Sequence, residues 1–101
     1  MLSINLITPN ELKKLIAQKA RALRLELNLS QQSLSQKSGV SYGSLKKFEQ
    51  TGQISLESLL KLALILGCIE PFNTLFTPTP ITEALSLDDL IEDHKRKRGR
   101  K

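Results

Sequence analysis

The sequence predicts an all-α chain: a compact five-helix domain, a short extended segment before it and a flexible basic tail after it. Three observations carry this. Apolar residues are mostly Leu and Ile, with only 4% aromatics and no Trp, a composition that favours helices. Thr8, Ser30, Ser41 and Ser55 each stand just before an apolar-periodic run, where a hydroxyl caps a helix. Gly39 and Gly52 close two of those runs, in the left-handed conformation that glycine tolerates. At 101 residues the chain has room for one small domain plus tails.

The segment over residues 1–8 alternates polar and apolar in "SINLIT", which suits either a short strand paired with another edge or a frayed end. The domain spans residues 9–77. Its first helix is expected from Pro9 to Glu26, with Thr8 as N-cap, Pro9 in the first turn and Glu11 completing a capping box. Leu12, Leu15, Ile16, Lys19, Ala20, Leu23 and Leu27 recur along it at helical spacing. "QQSLSQKS" forms a second helix that Gly39 ends. Val40 plugs the turn, and "YGSLKKFEQT" forms a third helix. "LESLLKLALILG" forms a fourth, with Leu56, Leu59, Leu60, Ala63 and Leu66 expected inside, and a short fifth should cover residues 71–76. Pro78 and Pro80 then break the regular structure. Residues 78–94 form an acidic amphipathic segment with Leu87, Leu90 and Ile91 at i, i+3 and i+4, too short to hold a helix alone. Residues 95–101 form the basic tail.

Charge divides the chain into three. Residues 1–54 hold eight Lys and Arg against three acids, for +5; residues 55–94 hold Lys61 against seven acids, for −6; the tail adds +6. Two separate charged surfaces follow, one of them suited to a polyanion. No apolar run is long enough for a membrane span and no signal peptide follows Met1, which points to a cytoplasmic protein. Cys68, the single cysteine, cannot form an internal disulfide and reads as a small core residue. One His and one Cys leave no metal cluster, and neither a phosphate loop nor a nucleophile elbow occurs. Asp88 and Asp89 are adjacent and point apart on a helix, so they are a poor acid–base pair. An enzyme is not expected, and no cofactor is implied.

Two capped helices around Gly39 have the geometry of a helix-turn-helix. In that arrangement the first helix braces the second, whose N-terminal side chains enter the major groove of DNA. Leu34, Val40, Leu45 and Phe48 should face the core, leaving Ser41, Tyr42, Gly43, Ser44, Lys46 and Lys47 outward or at the rim.

Residue identities sharpen this. The elements "R..R...NLSQ..L", "GVS...L..FE..G" and "SLESLLKLALILG" resemble the phage-repressor-like (Cro, or XRE) helix-turn-helix family over residues 21–67. The resemblance implies a DNA-binding domain that works as a dimer on an inverted-repeat operator. It implies that Gln31 meets a phosphate, and that Ser41, Tyr42, Gly43, Ser44 and Lys47 face bases and flanking phosphates. Ser44 and Lys46 are equally well read as solvated surface. It also implies that Arg24 and Glu49 form a structural pair that orients the reading helix. One departure is Ser35, where the family usually has Ala; a serine there needs a local hydrogen bond and should slightly loosen the helix pair. The absence of a long amide side chain at Tyr42-Gly43 leaves room for a second reading, a fold used only for protein contacts.

The string "FEQTGQISLESLLKLALILG", a proline break and a basic end look like the HipB-like antitoxin-repressors. That narrower resemblance implies autoregulation of an operon and binding to a HipA-type kinase toxin or its companion subunit. A phage or restriction-controller repressor without such a partner is the alternative. The tail residues Lys95, Arg96, Lys97, Arg98 and Arg100 cannot fold alone. They suit a DNA arm, a partner-docking segment or a solubility tail. Leu75 and Phe76 are candidates for the dimer contact, with closure of the monomer core as the alternative.

Overall fold

The computed structural model describes residues 7–78. Among them are five helices: α1 (Pro9–Glu26), α2 (Gln31–Ser38), α3 (Tyr42–Thr51), α4 (Leu56–Leu66) and α5 (Glu70–Asn73). The segment at residues 1–6, the acidic stretch after residue 78 and the basic tail lie outside the described residues.

Local chemistry sets the helix ends. Thr8 Oγ1 accepts from the Glu11 N–H at 3.1 Å, and the Glu11 carboxylate accepts from the Thr8 N–H at 3.0 Å, a reciprocal capping box. Ser30, Ser41 and Ser55 each accept from the N–H three residues on, satisfying a donor that has no partner within the helix. Gly39 and Gly52 close α2 and α3 with φ of 82°.

Gly52 has a second role. A Cβ there would come within 2.9 Å of the Lys13 backbone carbon and oxygen, so its bareness lets the end of α3 lie directly on α1. α1 packs on α3, while α2 packs on both α3 and α4. Between them sits a core of Ala17, Leu34, Val40, Leu45, Phe48, Leu62 and Leu66.

Several expectations about facing are corrected. Leu12, Leu15 and Leu27 of the first helix run are exposed, and the buried residues of α1 are Ala17 and Arg24. The close approach of α3 selects a small residue and a paired arginine for the inner stripe, and the leucines beside it fall outside. In α4, Leu56 is 65% exposed while Leu62 is buried. That helix is apolar nearly all round, so its periodicity alone does not identify the inner face. Leu59 and Leu60 are half-buried. The fifth helix covers Glu70–Asn73 rather than 71–76, and residues 74–76 form a turn. Leu75 is 57% exposed and Phe76 wholly so; neither closes the monomer core. Cys68 packs against the core from its edge and is half-buried rather than enclosed.

Ser35 has the local bond expected of it. Its hydroxyl donates to the Val40 carbonyl at 2.6 Å, spanning the glycine turn and tying α2 to the residue that plugs it. The Ser38 hydroxyl accepts from the Val40 N–H at 3.1 Å. Both backbone groups of Val40 are thereby satisfied by serines of α2, and the turn is held closed.

Candidate nucleic-acid interface

The orientation of α3 is set from behind. Arg24, on α1, sends Nε to Glu49 Oε2 at 2.7 Å and Nη2 to Glu49 Oε1 at 3.0 Å. Its third nitrogen, Nη1, donates to the Leu29 carbonyl at 2.8 Å, bracing the loop before α2. Both side chains are nearly withdrawn from water, at 7% and 4% exposure. Such a planar two-point grip fixes angle as well as distance.

Gln31 completes this network. Its Nε2 donates to Glu49 Oε1 at 2.8 Å, so one amide hydrogen is committed inside the protein. A phosphate contact by Gln31 has only the second hydrogen of that amide available. Sequence reasoning assigned Gln31 to the DNA side alone. The structure also joins it to the Arg24–Glu49 pair, so α1, α2 and α3 converge on one carboxylate.

The N-terminal half of α3 faces solvent. Ser41, Tyr42, Gly43, Ser44, Lys46 and Lys47 are all exposed, while Leu45 and Phe48 between them are buried. Ser41 is committed: it accepts from the Ser44 N–H and donates to Ser44 Oγ at 2.9 Å. The Ser44 hydroxyl keeps its own hydrogen for a base or phosphate oxygen. Lys46 Nζ stands 6.0 Å from the centroid of the Tyr42 ring, at the outer limit of a cation–π contact. That contact leaves the phenol group able to donate.

Gly43 is unlike the glycines that end helices. It lies inside α3, its φ is not in the left-handed region, and a Cβ built there meets nothing within 4 Å. The fold does not require a glycine at this position.

Electrostatics suit an anion. Neither α2 nor α3 has an acidic residue in its first turn, so the positive ends of both helix dipoles are uncompensated. The one acid in residues 31–51 is Glu49, held by Arg24 and Gln31. Lys37, Lys46 and Lys47 are all exposed.

One part of the surface was missed by sequence reasoning. Ser44 and Lys47 line a concavity of about 340 Å³ together with Gln53, Ile54, Ser55 and Ser58. It lies where α3 meets the N-terminus of α4. An ammonium group, a row of hydroxyls and a helix N-terminus form a cradle suited to a phosphate oxygen. The signal in the sequence was Ser55, legible only as a cap. The basic residues at 95–100 fall outside the described residues.

A braced helix offering its N-terminal face to solvent, with cationic and hydroxyl groups and no free acid, is the reading unit of a helix-turn-helix DNA-binding protein. Comparison with known families agrees. Residues 21–71 match the family model described as helix-turn-helix, and the chain belongs to that family, whose members are DNA-binding regulators of transcription. No curated protein and no solved structure matches the chain. Among the described residues, no helix is long and apolar enough to cross a membrane.

Proposed function

We propose that this protein is a sequence-specific transcriptional repressor that binds an inverted-repeat operator as a homodimer. The observation that carries this is the exposed row Tyr42, Gly43, Ser44 and Lys47 on a helix whose angle is held by Arg24 and Glu49. In this reading Tyr42 offers its hydroxyl to a phosphate or its ring to a thymine methyl, and Lys47 donates to guanine or to a phosphate in the neighbouring cradle. Two such helices in a dimer sit about 34 Å apart and read one half-site each. Leu75 and Phe76, both exposed, supply apolar surface for the dimer contact. The basic tail adds phosphate contacts outside the groove.

The finer reading is that of an antitoxin which represses its own operon and binds a HipA-type kinase toxin or its companion subunit. It rests on the sequence resemblance over "FEQTGQISLESLLKLALILG" and the basic end.

Three experiments test these statements separately. A gel shift with the region upstream of the gene, in excess competitor DNA, should give a retarded band; no shift points to a fold kept for protein contacts only. Pull-down from the native cell should recover a kinase-like protein. Operator binding without any such partner indicates a repressor of the phage or restriction-controller type. Deleting residues 95–101 should flatten the dependence of log K on log salt by about 0.9 for each phosphate that the tail neutralises, and an unchanged slope rules out a DNA arm.

A further inference from the structure

On the side of the domain bearing Ile16 and Ala20, α1 and α4 do not close against each other completely. Ala20 and Leu23 of α1, Leu59 and Leu66 of α4, and then Cys68 and Phe72 line a groove of about 270 Å³. Most of these residues pack against the core on one side and are half-buried on the other. Lys19, which is exposed, is the one charged residue in the lining. The volume falls just below the roughly 300–1,000 Å³ of sites for drug-sized ligands, and the lining lacks the convergent polar groups that orient a small molecule. An apolar stripe on a peptide, flanked by acids, fits such a groove better.

The chain has such a stripe. Leu87, Leu90 and Ile91 fall on one side at helical spacing, with Glu83, Asp88, Asp89, Glu92 and Asp93 around them. Phe72, in the groove, precedes the last described residue, Pro78, by only six positions. The nine residue-to-residue steps from Pro78 to Leu87 span up to about 30 Å when extended. We propose that residues 82–93 dock their Leu87–Leu90–Ile91 stripe into the α1–α4 groove of their own chain, with their acids beside Lys19 and Lys13.

Charge argues against a second copy as the occupant. At this groove α1 presents Lys19, with Lys13 at its edge beside Ile16 and Leu59, and two copies apposed across it would bring those cations together. The acidic segment brings the opposite sign. Its tether also holds it at an effective concentration near millimolar, so weak docking is enough. Docking would in turn supply the packing that so short a helix needs in water. The inference does not depend on the DNA-binding reading.

Cys68, the single thiol of the chain, lines the groove and reports on its cover. The experiment measures the rate at which a maleimide labels Cys68 in the full-length protein, across a range of protein concentrations. The wild type is compared with the Leu87→Asp/Leu90→Asp double variant, and far-UV circular dichroism checks that both are folded. The variant should label about tenfold faster or more, at a rate independent of protein concentration. Equal rates in the two proteins, fast or slow, overturn the proposal. So does protection that grows with concentration and persists in the variant, because a second copy is then the cover.

Discussion

Glu49 accepts three hydrogen bonds from two other helices: two from the Arg24 guanidinium, at 2.7 and 3.0 Å, and one from the Gln31 amide at 2.8 Å. The angle of α3 against the rest of the domain is set at this one carboxylate. The pair is almost wholly withdrawn from water, so its value lies in being complete.

Removing one partner leaves the other as an uncompensated buried charge. Glu49→Ala should cost on the order of 3 kcal/mol in urea denaturation. Binding should weaken by a similar factor on every operator variant tried, because the whole reading helix loses its brace. An unchanged melting temperature with altered base preference would falsify this role.

Gly43 and Gly52 should respond oppositely to alanine. At Gly43 there is open space and an ordinary helical backbone, so Gly43→Ala should raise stability by up to about 1 kcal/mol. In the proposed reading the same methyl would stand on the face that approaches DNA, and operator affinity should fall by about tenfold, the lower range for disrupting one base interaction. At Gly52 the φ of 82° and the Lys13 backbone 2.9 Å away both oppose a Cβ, so Gly52→Ala should cost about 2 kcal/mol. Thermal melts of the two variants, with operator titrations, check both signs together.

Lys47 borders both the exposed face of α3 and the concavity at the start of α4. If its partner is a phosphate, Lys47→Ala should weaken all DNA sequences alike and reduce the slope of log K against log salt by about 0.9. Loss of discrimination at a single base pair, with the slope unchanged, would instead assign Lys47 to a guanine. Binding isotherms at four or more salt concentrations, on matched operator variants, separate the two.

Ser35→Ala should lower stability by about 1 kcal/mol, because the Val40 carbonyl loses its 2.6 Å donor. A gain in stability would support the view that serine loosens this helix pair. The readout is the denaturation midpoint at constant m-value.

Much of this architecture was legible in the sequence. The spans of α1, α2 and α3, and the start of α4, follow from hydroxyl caps, one capping box and terminal glycines. These signals act within three or four residues and require nothing from the rest of the chain. The buried set Leu34, Val40, Leu45 and Phe48 was legible for a related reason. Polar residues separate these positions, so only one face of α2 and of α3 is apolar.

Other features depended on which helix meets which. Leu12, Leu15 and Leu56 are as apolar as the residues of the core, and only the packing of α1 on α3 and of α2 on α4 leaves them exposed. No local pattern indicates that Gln31 spends an amide hydrogen on Glu49, or that Ser44 and Ser58 share a cradle with Lys47. The sequence by itself determined where α1, α2 and α3 begin and end, where α4 starts, and the charge each carries, because capping and composition are properties of neighbouring residues. The tertiary structure alone decided which leucines are hidden, where Gln31 is held and where a groove stays open. Those are contacts between residues far apart in the chain, and they exist only once the helices have met.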